Sequence, residues 1–299
     1  MRCSPLLVLA SLALISTPVP GQGHDEAVDG DLSGNPGAPT PVVFVPGSNI
    51  VKGTCTDPTD TRDYLTFTIP DGGSLSALVL LEYIDVPSGD NGDIGYHAIN
   101  AGPTSVIPSN GTMNAFLGGS HTASFPPPWD LLPALSLAQS NGTGFSLPLG
   151  PGTYSYVMQQ TAIEVIGYTY DFVLDDSWTD EDCALAGVNG DPQLDASGFL
   201  VPGELNTLAL SNAAPNAATG LFVALAGGSV AFKGGTLKPF PFLIEPVSLP
   251  TNAAGSVTLP FLTPAGLPPG TELWMQWAIQ DAAAIKNVSL SNAVKGTAG

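Results

Sequence analysis

The sequence predicts an all-β fold, with two jelly-roll-like β-sandwiches in tandem behind a signal peptide. The chain has 35 Gly and 29 Pro among its 299 residues, a turn content typical of many short strands. Its hydrophobic content of 43% is too high for a disordered chain. The length suits two sandwiches of ordinary size once a leader has been removed.

The clearest strand signals lie between residues 140 and 174. Gly150-Pro151-Gly152 has the composition of a tight turn. Alternation then places Tyr154, Tyr156 and Met158 on one face of a strand, and Tyr168, Tyr170 and Phe172 on one face of the next. We expect both faces to supply the core of the first sandwich.

Turn residues separate further apolar runs along the chain. Strands are predicted at residues 42–45, 50–51, 64–69, 75–84, 205–210, 221–225, 230–232, 242–247, 256–262, 272–280 and 288–293. In the strand at 272–280, Trp277 lies on the opposite face from Trp274, so one of the two is expected in the core.

The domain boundaries follow from composition. Residues 24–41 are polar, rich in Gly and Pro and aperiodic, which predicts a flexible lead-in segment. The acidic run at 175–182 suits no strand and marks a boundary. We therefore predict an acidic sandwich at 42–182 and a second sandwich at 183–299.

The first residues have the pattern of a secretory signal peptide. Arg2 precedes an apolar run from Leu6 to Ile15, and small, helix-breaking residues follow. We expect residues 1–23 to be removed by cleavage near Gly21 to Gly23, and the protein to be secreted to the cell exterior. The alternative is an N-terminal anchor. The apolar run is about half the ~20 residues that a membrane helix needs, so no membrane span is expected in the mature protein.

The charge pattern argues against a nucleic-acid partner. The formal net charge is −19, and only 11% of the residues are charged. Residues 57–195 contain most of the acidic side chains and Arg62 as their single basic residue. A polyanion would be repelled by such a surface.

The order of several motifs resembles the bacterial pre-peptidase C-terminal (PPC) domain over about residues 57–175. The motifs are Asp63-Tyr64 with Phe67 and Ile69, the acidic loop with Asp90, Asn91 and Asp93 before Tyr96, Gly150 to Tyr154, and Tyr168 to Phe172. The resemblance implies a secreted jelly-roll sandwich, usually an appendage of exported enzymes and similar to calcium-binding, substrate-targeting modules. Further along, the motifs Pro202-Gly203, Gly234 to Thr236, Pro268 to Gly270, Gln276, Asp281 and Ser291 to Ala293 resemble a recurrent C-terminal β-module of exported bacterial proteins that has no established activity.

Loop carboxylates supply candidate calcium ligands. One set is Asp57, Asp60 and Asp63, and the other is Asp85, Asp90, Asn91 and Asp93. Hard cations prefer several carboxylate and carbonyl oxygens. The alternative is that these side chains cap turns and keep a sandwich with few charges soluble.

Three aromatic residues in the apparent insertion at 101–139 are candidates for ligand binding. Phe116, Phe125 and Trp129 lie among Gly and Pro residues, as expected for a loop. They would either present a platform to a sugar or peptide, or fold back over the edge of the sandwich.

Cys55 and Cys183 bracket the acidic module. In an exported chain, two cysteines predict a disulfide, which would join the start of the module to its end. The alternative is a pair of inert buried thiols.

The sequence favours a binding or scaffolding protein over an enzyme. The chain has only three His residues and no metalloprotease motif. Our leading hypothesis is a non-catalytic protein of the cell exterior that binds an extracellular polymer or protein and is stabilised by calcium. The alternative is an extracellular hydrolase, or its accessory domain, acting on polysaccharide or protein, with carboxylates such as Glu82, Glu164 or Glu204.

Overall fold

The structure is a computed structural model that describes residues 23–56, 58–86, 95–105, 116–121, 127–138, 142–160 and 165–299. The predicted signal peptide lies almost wholly outside these residues. No helix in the described ranges is long and apolar enough to cross a membrane.

The described chain is almost entirely β, which confirms the predicted all-β sandwich fold. In the first half the strands are β1 Gly23–Asp25, β2 Thr40–Pro41, β3 Gly47–Thr56, β4 Arg62–Ile69, β5 Ser74–Val86, β6 Gly95–Ala101, β7 Gly118–His121, β8 Trp129–Asp130, β9 Gly152–Gln160 and β10 Val165–Asp175. Two single-turn helices accompany them, α1 Glu26–Asp29 and α2 Leu132–Leu135.

The second half contains eleven strands and one 3-10 turn, Ile285–Asn287. The strands are β11 Trp178–Asp180, β12 Gln193–Ser197, β13 Leu205–Ser211, β14 Ala218–Ala224, β15 Gly227–Phe232, β16 Gly235–Pro239, β17 Val247–Pro250, β18 Val257–Leu262, β19 Glu272–Gln280, β20 Val288–Leu290 and β21 Val294–Thr297.

Two five-stranded sheets enclose the first core. Their strand orders are β1-β3-β10-β5-β8 and β2-β4-β9-β6-β7. β10 and β9 occupy the centres of their sheets, and their alternating aromatic residues point inward as predicted. Tyr156 is 1% exposed, and Tyr170 and Phe172 are fully buried. The rings of Phe44, Phe67 and Phe172 pack together at centroid distances between 4.8 and 5.5 Å.

The second core lies between a six-stranded sheet and a three-stranded sheet. The larger sheet has the order β11-β21-β19-β14-β17, with β20 beside β19, and the smaller has the order β12-β13-β18. β15 and β16 form a separate two-stranded ribbon. Trp277 is 1% exposed in this core, whereas Trp274 on the opposite face of β19 is only partly buried.

No sheet among the described residues contains strands from both sides of Ser177, because β10 ends at Asp175 and β11 begins at Trp178. The two halves are nevertheless in contact. Phe199 follows β12, yet its ring is buried in the first core and is only 5% exposed. The division into two domains therefore stays a prediction.

The lead-in segment differs from the prediction. Residues 24–41 are not a separate flexible tail but part of the sandwich. β1 pairs in parallel with β3, β2 pairs in parallel with β4, and Leu32 between them is 2% exposed in the first core. Strands of two or three residues are too short to show a periodicity, so the sequence pattern did not reveal them.

One strand prediction in the second half is also wrong. Most of the apolar run at 242–247 is an exposed connection, and β17 begins only at Val247. Phe242 pairs with Ala224 only through an isolated β-bridge, which does not extend into a strand.

The packing of Leu32 leads to a stability prediction. Substituting Leu32→Ala leaves a cavity in the first core, so the free energy of unfolding should fall by about 2–4 kcal/mol. Val28 in the same segment is 81% exposed, and Val28→Ala should change it by less than about 0.5 kcal/mol. Urea denaturation of the two variants measures the difference. Equal, small effects would mean that the lead-in segment is not part of the folded core.

Candidate metal centre

Three carboxylates converge at one end of the first sandwich. Glu26, Asp31 and Asp63 each offer an oxygen within 4.8 Å of those of the other two, and we call them the carboxylate cluster. Glu26 opens α1, which Asp25 caps by accepting a hydrogen bond from the amide of Ala27. The cluster therefore joins the lead-in segment to β4, which carries Asp63.

Asp63 is the buried member of the cluster, with only 2% of its surface exposed. Its Oδ2 atom accepts hydrogen bonds from the Tyr168 hydroxyl at 2.6 Å and the Cys55 thiol at 3.0 Å. Its Oδ1 atom is buried without a hydrogen-bond partner in the described part of the chain. An unsatisfied buried oxygen of a carboxyl group is costly, which makes this atom unusual.

Glu26 is held in place by the backbone around it. Its Oε1 accepts from the amide of Leu32 at 3.1 Å, and its Oε2 accepts from the amide of Thr54 on β3 at 2.8 Å. A Cβ atom on Gly53 would overlap both the Tyr168 hydroxyl and the Glu26 carboxyl carbon. The absence of a side chain at this position therefore lets the Glu26 carboxylate and the Tyr168 hydroxyl approach β3.

Burial raises the pKa of Asp63, of the neighbouring Asp60 and of Glu26. It raises the pKa of Asp63 to about 8; the hydrogen bonds from Tyr168 and Cys55 lower it less strongly, and the negative charge of Glu26 adds a smaller increase. It also raises the pKa of Asp60 to about 6, with repulsion from Asp31 and Glu26 as further causes. The pKa of Glu26 is raised mainly by burial as well.

Within the described ranges, no Lys or Arg forms an ion pair with the cluster. The ion pair that these ranges contain joins Lys295 to Glu181, outside the cluster. Among the described residues, the carboxyl groups of the cluster thus face one another with no ion pair to a Lys or Arg side chain.

The residues present fit a hard divalent cation. Such an ion takes carboxylate oxygens, each of which has more than one lone pair, so the backbone bonds to Glu26 do not exhaust its capacity. The unpaired Asp63 Oδ1 is the kind of atom that an ion would satisfy. A pocket of about 350 Å³ lined by Glu26, Asp31 and Lys52 opens next to the cluster.

The predicted calcium ligands are only partly brought together here. Asp63 belongs to the cluster, and Asp60 lies close enough to raise its pKa. Asp57, Asp90, Asn91 and Asp93 lie outside the described residues, and of Asp85 only the backbone is described, at the end of β5.

The sequence interpretation missed Glu26 and Asp31, because both lie in the segment that was expected to be flexible. A signal was present in the acidic side chains at 25, 26, 29 and 31, which directly precede the apolar residue Leu32.

The two described aromatic residues of the apparent insertion, Phe116 and Trp129, do not form an exposed platform. Phe116 is fully buried, in a cluster with Tyr64, Tyr96 and Val157 on the outer face of β4, β9 and β6. The prediction that Phe116 binds a ligand is therefore wrong. Trp129 is half-buried against the first core, and Phe125 lies outside the described residues.

The predicted disulfide is not formed, and both cysteines are free thiols. Cys55 is fully buried in the first core, where its thiol donates to Asp63, while Cys183 follows β11 in the second half. Burial raises the pKa of the Cys55 thiol far above its usual range. A buried, protonated thiol that already has a hydrogen-bond partner is a poor nucleophile for disulfide formation.

A second polar group lies deeper in the same core. His97 on β6 is fully buried, and its Nδ1 atom lies 3.0 Å from the Tyr156 hydroxyl and 2.8 Å from that of Tyr170. Its Nε2 atom is buried without a partner among the described residues. Burial lowers the pKa of His97 to about 3, with a smaller contribution from His121. The ring is therefore neutral at pH 7.

Comparisons with known proteins do not identify this chain. No protein-family profile matches it, and no curated protein matches it. Among solved structures, it is similar to a beta-glucuronidase from Parabacteroides merdae at 8% identity and a TM-score of 0.17. That match covers 83% of this chain and 28% of the glucuronidase chain. A TM-score of this size carries no argument about fold or function, and the resemblance to the PPC domain stays an expectation.

The environment of His97 leads to a titration prediction. Since the pKa is lowered to about 3, the His97 ring should stay neutral when the pH is lowered from 7 to about 4, far below the ordinary value near 6.5. Imidazole nitrogen shifts in ¹⁵N NMR spectra measure this directly. A midpoint for His97 near 6 in the folded protein would contradict the buried neutral ring.

The raised pKa of Asp63 predicts a pH dependence of stability in the absence of divalent cations. The unfolded carboxyl ionises near 3.8, whereas the folded one keeps its proton to about 8. Its stabilising contribution is therefore full below pH 3.8 and is lost as the pH rises towards 8. An asparagine side chain does not ionise, so the stability of the wild type relative to Asp63→Asn should fall over this range by up to about 1.4 kcal/mol per pH unit.

Thermal melts in chelator between about pH 4.5 and 8 test this expectation. The exposed Asp195 on β12 provides the control for the loss of one carboxyl group, so the pH dependence of Asp63→Asn is compared with that of Asp195→Asn. A constant difference for Asp63→Asn would mean that Asp63 ionises normally in the folded state.

Proposed function

We propose that this chain is a secreted, non-catalytic binding or scaffolding protein whose first sandwich binds calcium through the carboxylate cluster. The observation that carries the calcium site is the buried Asp63, whose Oδ1 atom has no partner among the described residues and which faces two further carboxylates. The leader-like residues 1–23 and the resemblance to the PPC domain support the secreted location.

Calcium suits the cluster better than other common cations. Carboxylate oxygens are hard ligands, which disfavours zinc and copper sites built from His and Cys. Magnesium requires a nearly ideal octahedron and keeps most of its waters, whereas calcium accepts irregular sets of six to eight oxygens. An irregular set drawn from a helix turn, a loop and a strand is more typical of calcium.

The role that we propose for the ion is structural. Glu26 is bonded to Thr54 on β3 of one sheet, and Asp63 lies on β4 of the other. Asp63 also accepts from Tyr168 on β10. An ion held by these groups would fasten the lead-in segment and both sheets at one end of the sandwich.

The same geometry argues against the hydrolase alternative. Asp63 is 2% exposed, so a polymer chain cannot reach its carboxyl group. Of the carboxylates considered for glycoside hydrolysis, Glu82 lies on the exposed side of β5 beside Thr169, and Glu204 lies before β13 in the second half. Glu82 thus belongs to the first half and Glu204 to the second, and Glu164 lies outside the described residues.

The proposal predicts that calcium stabilises the folded protein and that Asp63 and Asp31 are required for the effect. At about a hundredfold excess over the dissociation constant, calcium should add roughly 2.7 kcal/mol to the free energy of unfolding. Calcium sites of extracellular modules have dissociation constants on the order of 0.1–1 mM, so the titration should extend well beyond 10 mM.

The measurement is the melting temperature in chelator and in calcium, with magnesium at equal ionic strength as the ion control. Asp63→Asn and Asp31→Asn should lose most of the shift, while Asp195→Asn should keep it. If the wild type melts at the same temperature in calcium and in chelator, or magnesium acts equally well, the calcium site is wrong.

A further inference from the structure

An exposed apolar surface lies at one edge of the second half, away from the carboxylate cluster. It consists of the turn after β14 and the connection from β16 to β17, and we call it the apolar tip. Its large side chains are Leu225 at 45% exposure, Phe240 at 43%, Phe242 at 42%, Leu243 at 52%, Ile244 at 49% and Val247 at 37%. Isolated exposed apolar residues are common on protein surfaces, but six on neighbouring segments are not.

The exposure is built into the fold. The amide of Leu243 donates to the carbonyl of Val223 at 2.8 Å, and the amide of Phe240 donates to that of Ala226 at 3.3 Å. The Phe242 ring packs on the buried Phe222 ring at 5.0 Å, and the Phe240 ring lies 5.5 Å from that of Phe242. The tip is thus fixed on β14 while its apolar side chains are exposed to water. Binding would therefore not require the loop to lose further conformational entropy.

The size and shape of the tip favour insertion into a soft surface. At these exposures its six side chains present roughly 500 Å², whereas a stable protein interface buries about 800 Å² on each partner. Residues 240–248 are all exposed, so the whole connection presents its side chains to water. A small apolar surface buries more of its area in a deformable medium than against a flat, rigid protein.

Charge further limits the partner. Two copies of a chain with a formal net charge of −19 repel each other. The tip itself contains one acidic residue, Glu245, and Lys238 lies at its base on β16. Pro246 precedes the neighbouring edge strand β17 and Pro250 is its last residue; both lack an amide donor and oppose strand pairing with a second copy.

We propose that the apolar tip inserts into the interfacial region of a lipid bilayer with zwitterionic headgroups. Such a surface has no net charge to repel the acidic chain, and its acyl region accepts Phe, Leu and Ile side chains. In this arrangement only the apolar tip enters the bilayer, and the rest of the protein stays at its surface. The inference does not depend on the calcium site, which belongs to the other half of the chain.

The test is flotation of the full mature chain with large vesicles of pure phosphatidylcholine, in chelator so that calcium makes no contribution. The wild type should float with the vesicles. Leu243→Ser combined with Ile244→Ser removes two exposed apolar side chains from the tip, and the partition coefficient should fall at least about tenfold.

A matched control is available on the other sheet. Leu205 and Leu262 are 60% and 62% exposed and face each other across β13 and β18. The double variant Leu205→Ser with Leu262→Ser loses as much apolar surface outside the tip, and it should float like the wild type. Circular dichroism and melting of both double variants establish that they are folded.

Four results would overturn the proposal. The first is a wild type that does not float, and the second is an equal loss of flotation in the control variant. The third is loss of binding in about 1 M salt, which screens charge attraction and would show that binding is electrostatic. The fourth is a dimer in light scattering that is absent in the Leu243 and Ile244 double variant. The last result would assign the tip to a second copy of the chain.

Discussion

The packing of β9 against β10 is the interaction on which the first sandwich depends. Each strand lies at the centre of its sheet, and the rings of Tyr156 and Phe172 meet between the sheets at 5.4 Å. Every other strand of the two sheets is joined to one of these two strands directly or through a neighbour. Aromatic side chains bury large areas with few rotatable bonds, so this contact contributes much stability at a modest loss of entropy.

That dense core also explains the electrostatics of the site. Asp63 and His97 have opposite pKa shifts for one reason, since burial disfavours the charged form of both. The groups around them are hydroxyls, a thiol and a thioether rather than opposite charges. The chain has 7 Lys and Arg residues against 26 Asp and Glu residues. Most of its carboxylates can therefore be neutralised only by cations from solution.

Alternation over several residues was sufficient to predict the long central strands. It placed Tyr170 in the first core and put Trp274 and Trp277 on opposite faces of one strand, because a strand that is buried on one face repeats with a period of two. It failed where the structure depends on contacts between distant segments. The short parallel strands β1 and β2 have no periodicity of their own, and Glu26 and Asp63 are brought together only by the fold. The apolar run at 242–247 has the composition of a buried strand, but Pro241 and Pro246 interrupt the pairing of a continuous strand.

The position of Phe199 has a mechanical consequence. Its ring comes from the second half of the chain but fills space in the first core, beside Gly73, where a Cβ atom would overlap it. Withdrawing the ring would leave a cavity of aromatic size, so the first half loses stability when the second half unfolds. Unfolding of the two halves is therefore coupled, and a pulling force applied across Ser177 is carried by side-chain packing as well as by the backbone.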